Sequence, residues 1–162
     1  MSSLLLIATV LAALGSALIA GFFLAFSATV MGALKRLQPS AGIAAMQSIN
    51  VVVLNPVFLG TFFGTAILCL VLLVAAVLQW SAPASVYLLA GSLLYLVGTI
   101  LVTIVFNVPL NDKLAAVRPD SAEGRKVWDE YLSTWTKWNQ VRTVASLLAA
   151  VDFIVAAIMR TA

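Results

Sequence analysis

Four long apolar runs, at about residues 4–31, 50–80, 83–106 and 138–159, each exceed the roughly 20 residues that a helix needs to cross a hydrocarbon layer. A single segment surrounded by lipid can satisfy its own backbone only as a helix. With 63% hydrophobic and 9% charged residues, the chain also has too little polar surface to coat a water-soluble globule, whose charged share is usually about 25%. The sequence therefore predicts an all-α, four-helix transmembrane bundle, one integral membrane domain over residues 1–162. The first run has no basic leader and is too long for a signal-peptide core, so it is expected to be retained.

The distribution of Lys and Arg predicts orientation. Lys35 and Arg36 lie between runs one and two, and Lys113, Arg118, Arg125, Lys126 and Lys137 lie between runs three and four, while the other side carries Arg160. The positive-inside rule places loops 32–49 and 107–137 in the cytoplasm and both termini outside, in a cell (inner) membrane. Runs two and three are joined by so short a link, between Gln79 and Pro83, that they must be antiparallel neighbours. The charge of +3 is dispersed beside the runs rather than gathered into a groove, which argues against nucleic acid as a partner. The lone Cys69 excludes an intrachain disulfide.

Small residues mark faces where helices approach closely. Ala12, Ser16 and Ala20 repeat in run one, and Gly60 with Gly64 forms a GxxxG in run two. Such strips serve packing within the bundle or association into a homo-oligomer.

The polar residues of the runs gather at one depth. Asn50 and Asn55 open run two, Asn107 ends run three, and Asn139 and Arg142 open run four, all at the end expected to be cytoplasmic. Phe22, Phe26 and Ser27 of run one reach the same level. Amides and guanidinium groups are expensive in lipid, so they face the bundle interior and find partners there. Pro56 follows Asn55 and withholds a donor from the Val52 carbonyl, which predicts a kink with a free acceptor. Pro109 biases the chain near Asn107 away from helix and marks where run three would end.

Just before run four, Trp128, Tyr131, Trp135, Trp138, Asn139 and Arg142 share one helical face about 100° wide. This predicts an amphipathic cytoplasmic helix before the last span. Trp and Tyr also gather at membrane interfaces as anchors, and Arg snorkels there, so the face reads equally as anchoring. Arg142 lies one turn inside Trp138, where it either snorkels or offers its donors to an anionic or carbonyl ligand. Asp152 lies about 15 Å further along the helix and is expected to pair with Arg160.

The chain has no histidine, which removes the Ser-His-Asp triad, His-ligated haem, the usual zinc sites and the Glu-x-x-His di-iron signature. Nor does it contain GxGxxG or P-loop spacing. No cofactor and no metal is expected.

Gly21-Phe22-Phe23 with Phe26-Ser27, Met46-Gln47-Ser48-Ile49-Asn50 with Asn55-Pro56 and Phe58, Asn107-Val108-Pro109-Leu110-Asn111, and Trp128, Trp135-Thr136-Lys137-Trp138-Asn139 and Arg142-Thr143 occur in that order. Over nearly its whole length the chain thereby resembles the anthrone oxygenase-like family of small four-helix membrane proteins. The resemblance implies a monooxygenase-like enzyme that converts the activated methylene of an anthrone to a carbonyl with dioxygen, without metal or flavin. An anthrone ionises to an electron-rich anthrolate that reacts with oxygen itself. The protein then has to bind a flat ring, assist deprotonation and stabilise an oxyanion.

On that reading Arg142, Asn139 and Asn107 stabilise the oxyanion, Asn50 and Asn55 orient polar substituents, and Trp135, Trp138 and Phe26 sandwich a ring reached from the inner leaflet. No general base stands out. The expected partners are a hydrophobic aromatic small molecule or lipid, together with membrane lipids. Two alternatives use the same residues: a non-catalytic lipophile- or quinone-binding accessory protein, and a small transporter subunit. The latter would need a polar route through the other half, where Asp152, Thr99 and Thr103 stand.

Overall fold

The computed structural model describes residues 2–159. The pairing expected between Asp152 and Arg160 lies outside the described residues. Five helices form among them: α1 (Ser3–Lys35), α2 (Pro39–Val52), α3 (Pro56–Leu78), α4 (Ser85–Ala115) and α5 (Ala122–Ile158). Four of these, α1, α3, α4 and α5, are long and apolar enough to cross a membrane. They close a ring in which α1 packs on α3 and α5, and α4 packs on the same two neighbours.

Two apolar cores hold the bundle together. One lies among the four spanning helices and includes Ile19, Phe23, Phe62, Leu72, Tyr95 and Phe153. The other joins α2 to the polar end, where Ile43 and Met46 meet Leu114, Trp128, Tyr131 and Trp135. Buried hydroxyls bond across the first core: Tyr95 donates to the Phe62 carbonyl at 3.1 Å, and the Thr99 and Ser146 hydroxyls lie 2.7 Å apart. In lipid such bonds contribute to helix association alongside van der Waals packing.

The small residues divide sharply. Ala12, Ser16 and Ala20 are buried within the bundle. Gly60 and Gly64 have nothing within 4 Å of where a Cβ would stand, so the GxxxG makes no close contact among the described residues. Close approaches between spanning helices instead include Gly15, where a Cβ would collide with the Thr65 hydroxyl, and Gly98, where it would meet the Ala145 methyl.

Three helix boundaries differ from the sequence expectation. Run two does not begin a single helix at Asn50: α2 ends at Val52 and α3 restarts at Pro56. Asn55 caps the new helix, its Oδ1 accepting from the Val57 and Phe58 N–H groups at 3.1 and 3.0 Å. Its Nδ2 donates to the Val52 carbonyl at 3.0 Å, so the acceptor expected to be free is occupied. The kink is therefore a complete break, stabilised by a cap.

Run three does not stop at Asn107. The helix passes through Pro109 to Ala115 because the backbone widens into a π-turn over Thr103–Asn107 just before it. The wider turn accommodates the donor that proline lacks. Gln47 then closes this helix by donating to the Leu114 and Val117 carbonyls at 2.9 and 3.0 Å, satisfying terminal acceptors.

The loop expected over 107–137 is mostly helical, and the amphipathic helix is fused to the last span. Ser121 caps α5 by accepting from the Gly124 N–H at 2.9 Å. Beyond Gly124 the sequence has no Gly or Pro as far as Ile158, and the helix runs unbroken from Ala122 to Ile158 over 37 residues. At ~1.5 Å per residue α5 is about 55 Å long, well beyond the ~30 Å of a hydrocarbon core. Its polar first half therefore projects past the apolar layer and carries the aromatic face with it.

Candidate functional site

Arg142 organises the polar end of the bundle. Its side chain is 6% exposed, and its guanidinium carbon lies 3.9 Å from the Phe23 ring centroid and 5.1 Å from that of Trp135. Nε and Nη2 donate to Asn139 Oδ1 at 3.1 and 2.9 Å, and Nη1 donates to Thr103 Oγ1 at 3.2 Å. Among the described residues these bonds leave one hydrogen on each Nη without a protein acceptor. Among the described residues the ion pairs are Lys113 with Glu130 and Arg118 with Asp120, both exposed, so Arg142 has no carboxylate partner there. A buried cation without a counter-ion is costly, and here neutral oxygens and aromatic faces offset it.

The backbone around Arg142 is shaped to hold it. A π-turn over Phe26–Val30 interrupts α1, and Asn139 inserts its amide beside it. Nδ2 of Asn139 donates to the Phe23 carbonyl at 2.7 Å and to Ser27 Oγ at 2.6 Å. Asn139 is fully buried and bonded at both ends, so it positions Arg142 against α1. The π-turn of α4 carries Thr103 and Asn107 to the same level. Wide turns of this kind are frequent at functional sites.

Arg142 borders a cavity of about 100 Å³. Phe22, Phe23, Phe26, Phe58 and Trp135 supply its aromatic wall, and Asn50, Thr103 and Asn111 supply its polar one. Tyr131 ties the two amides together: its hydroxyl donates to Asn111 Oδ1 at 2.8 Å and accepts from Asn50 Nδ2 at 3.5 Å. Among the described residues no carboxylate lines the cavity, and no acidic or thiol cluster of metal-binding size occurs.

The sequence-derived candidates separate into three groups. Arg142, Asn50, Trp135 and Phe26 border the cavity. Asn139 and Asn107 stand behind it, Asn107 donating to the Trp135 carbonyl at 3.2 Å while its own Oδ1 stays buried and unpaired. Asn55 and Trp138 do not border it. Asn55 is exposed and committed to its cap. Trp138 stacks on Phe106 with centroids 3.6 Å apart, because it lies about 100° round the helix from Asn139.

The expected sandwich of a ring by Trp135, Trp138 and Phe26 is therefore not assembled. Trp135 itself is already stacked on Tyr131, with centroids 5.5 Å apart, and covered by Arg142. Nor do Trp128 and Tyr131 sit at an exposed interface as anchors; they are 2% and 1% exposed. Thr103, expected in the other half of the bundle, instead bonds Arg142 and borders the cavity, and Asn111 joins it there. Their spacing of one helical turn on either side of Asn107 was the available signal.

Fold and site define a small multi-pass helical bundle with an aromatic cavity walled on one side by a buried cation. The chain belongs to the anthrone oxygenase family, whose sequence model matches residues 57–151. That stretch contains Thr103, Asn107, Trp135, Asn139 and Arg142, while Phe26, Asn50 and Asn55 precede it. No curated protein and no solved structure matches the chain.

Proposed function

We propose that this protein is a membrane-embedded oxygenase that converts an anthrone-like methylene to a carbonyl without a cofactor, and that Arg142 binds the ionised oxygen of the substrate. The observation that carries this reading is the buried guanidinium of Arg142, which borders the cavity and lacks a carboxylate partner among the described residues. Such a group favours the ionised form of a bound hydroxyarene over the neutral one.

The chemistry needs little else from the protein. The anthrolate carbon transfers an electron to dioxygen, the two radicals combine, the peroxide takes up a proton, and loss of water leaves the new carbonyl. One dioxygen is consumed, one oxygen atom is retained and the other leaves as water. With no carboxylate on the cavity wall among the described residues, Arg142 promotes ionisation by stabilising the anion, and the proton passes to water. Asn139 fixes the guanidinium, and Asn50 and Asn111 meet polar substituents through the Tyr131 network.

The Lys- and Arg-rich end, and so the cavity, faces the cytoplasm in this proposal. The test is dioxygen uptake and quinone absorbance on adding an anthrone to purified protein. Arg142→Gln should slow both by about 100-fold or more, the scale of losing an oxyanion donor. A second reading, non-catalytic binding of an aromatic anion, is favoured by the missing carboxylate base. It predicts the same Arg142-dependent binding with no dioxygen uptake.

A further inference from the structure

The cavity at Arg142 is too small for the substrate that its chemistry suits. It measures about 100 Å³, whereas pockets for small molecules begin near ~300 Å³. A groove of about 300 Å³ lies beside it. Phe22, Phe26, Ile49, Val53 and Phe58 border both spaces, so these side chains form the partition. Phe22 meets Phe26 and Phe58 at centroid distances of 5.1 and 4.9 Å, tilted by 45° and 44°.

The geometry points to a lateral gate: Phe22 and Phe58 swing aside to join the groove to the cavity, admitting a flat polycyclic hydroxyarene from the bilayer with its ionised oxygen leading towards Arg142. This rests on the reading of Arg142 as an anion site. Three features support it. The partition is made of apolar side chains, with Phe22 in ring contact with Phe26 and Phe58, and rotamer changes can open it. It stands at the break between α2 and α3 and beside the π-turn of α1, where the backbone departs from regular helix. The groove beyond it has Val52, Val53 and Ile49 along its wall, with Ser48 and Asn55 as its polar members. That is a mainly apolar approach suited to the ring, while the Arg142 cation lies at the inner end.

The full-length protein in liposomes tests this with alizarin, a chromophoric tricyclic hydroxyarene, and nitrophenol, a single ring. Alizarin should associate about tenfold faster with Phe58→Ala and tenfold slower with Phe58→Trp, on the scale of one or two aromatic contacts. Nitrophenol should be much less sensitive. Val53→Trp, which enlarges another side chain of the partition, should act like Phe58→Trp. A ligand-free arm uses Asn50→Cys in a Cys69→Ala background: its labelling by N-phenylmaleimide should follow the same order across the residue 58 variants.

Association and labelling rates that ignore residues 58 and 53 overturn the gate and leave the Arg142 reading intact. Alizarin that binds Arg142→Gln as tightly as wild type, or binds neither, overturns the Arg142 reading. In that case the maleimide rates still decide whether the gate exists.

Discussion

Asn139 Oδ1 accepts two hydrogen bonds from Arg142, from Nε at 3.1 Å and from Nη2 at 2.9 Å, while the amide nitrogen of the same residue holds α1 through the Phe23 carbonyl. One side chain thus fixes the cation and ties two spanning helices together. Asn139→Leu removes both functions and leaves a buried guanidinium with fewer acceptors. It should destabilise the protein by about 3 kcal/mol, in the range for breaking buried polar networks, as measured by thermal or denaturant unfolding in detergent.

Arg142→Met should behave differently. It removes a buried charge but leaves Asn139 Oδ1 buried without its two donors, and these opposing effects should keep its melting temperature close to that of wild type. Binding of a hydroxyarene anion should be lost. A strongly destabilised Arg142→Met would mean that the guanidinium is there chiefly to hold the fold.

Asn139→Asp adds charge with little change of shape. The carboxylate can keep the bonds to Arg142 and supplies the counter-ion that the site lacks, but it gives up the donor to the Phe23 carbonyl, so preference for an anionic ligand and the melting temperature should both fall while the helical content measured by circular dichroism is retained. Titrating a chromophoric hydroxyarene reads this directly. Wild type should shift its ionisation to lower pH, since the cation stabilises the anionic form, and Asn139→Asp should diminish the shift.

Asn55 and Asn50 should differ although both open the second apolar run. Asn55→Ala should cost about 1 kcal/mol as a lost N-cap and leave equilibrium ligand binding little changed. Asn50→Ala should weaken binding through the cavity wall. Equal effects of the two on affinity, measured by fluorescence quenching, would contradict the separate positions described for them.

Gly15→Val should destabilise the bundle by at least about 2 kcal/mol, because the added carbons meet Thr65 at a close helix crossing. Gly60→Val should stay within about 1 kcal/mol, since open space surrounds that position. Unfolding of both variants in the same detergent makes the comparison.

The four apolar runs were enough to dictate the helical membrane class, because backbone satisfaction in lipid leaves few alternatives. The depth of Asn50, Asn107, Asn139 and Arg142 was equally legible, since helix rise converts sequence position into height. Packing settled which side chains at that height face the same space. Asn55 turned away because a helix break needed its cap, and Trp138 turned to Phe106 because a helix separates neighbouring residues by about 100°. The π-turns, which no local pattern announced, brought Thr103 and Asn107 into the site. Whether Arg142 had a counter-ion depended on contacts between distant helices, and the packed bundle alone shows that it has none among the described residues.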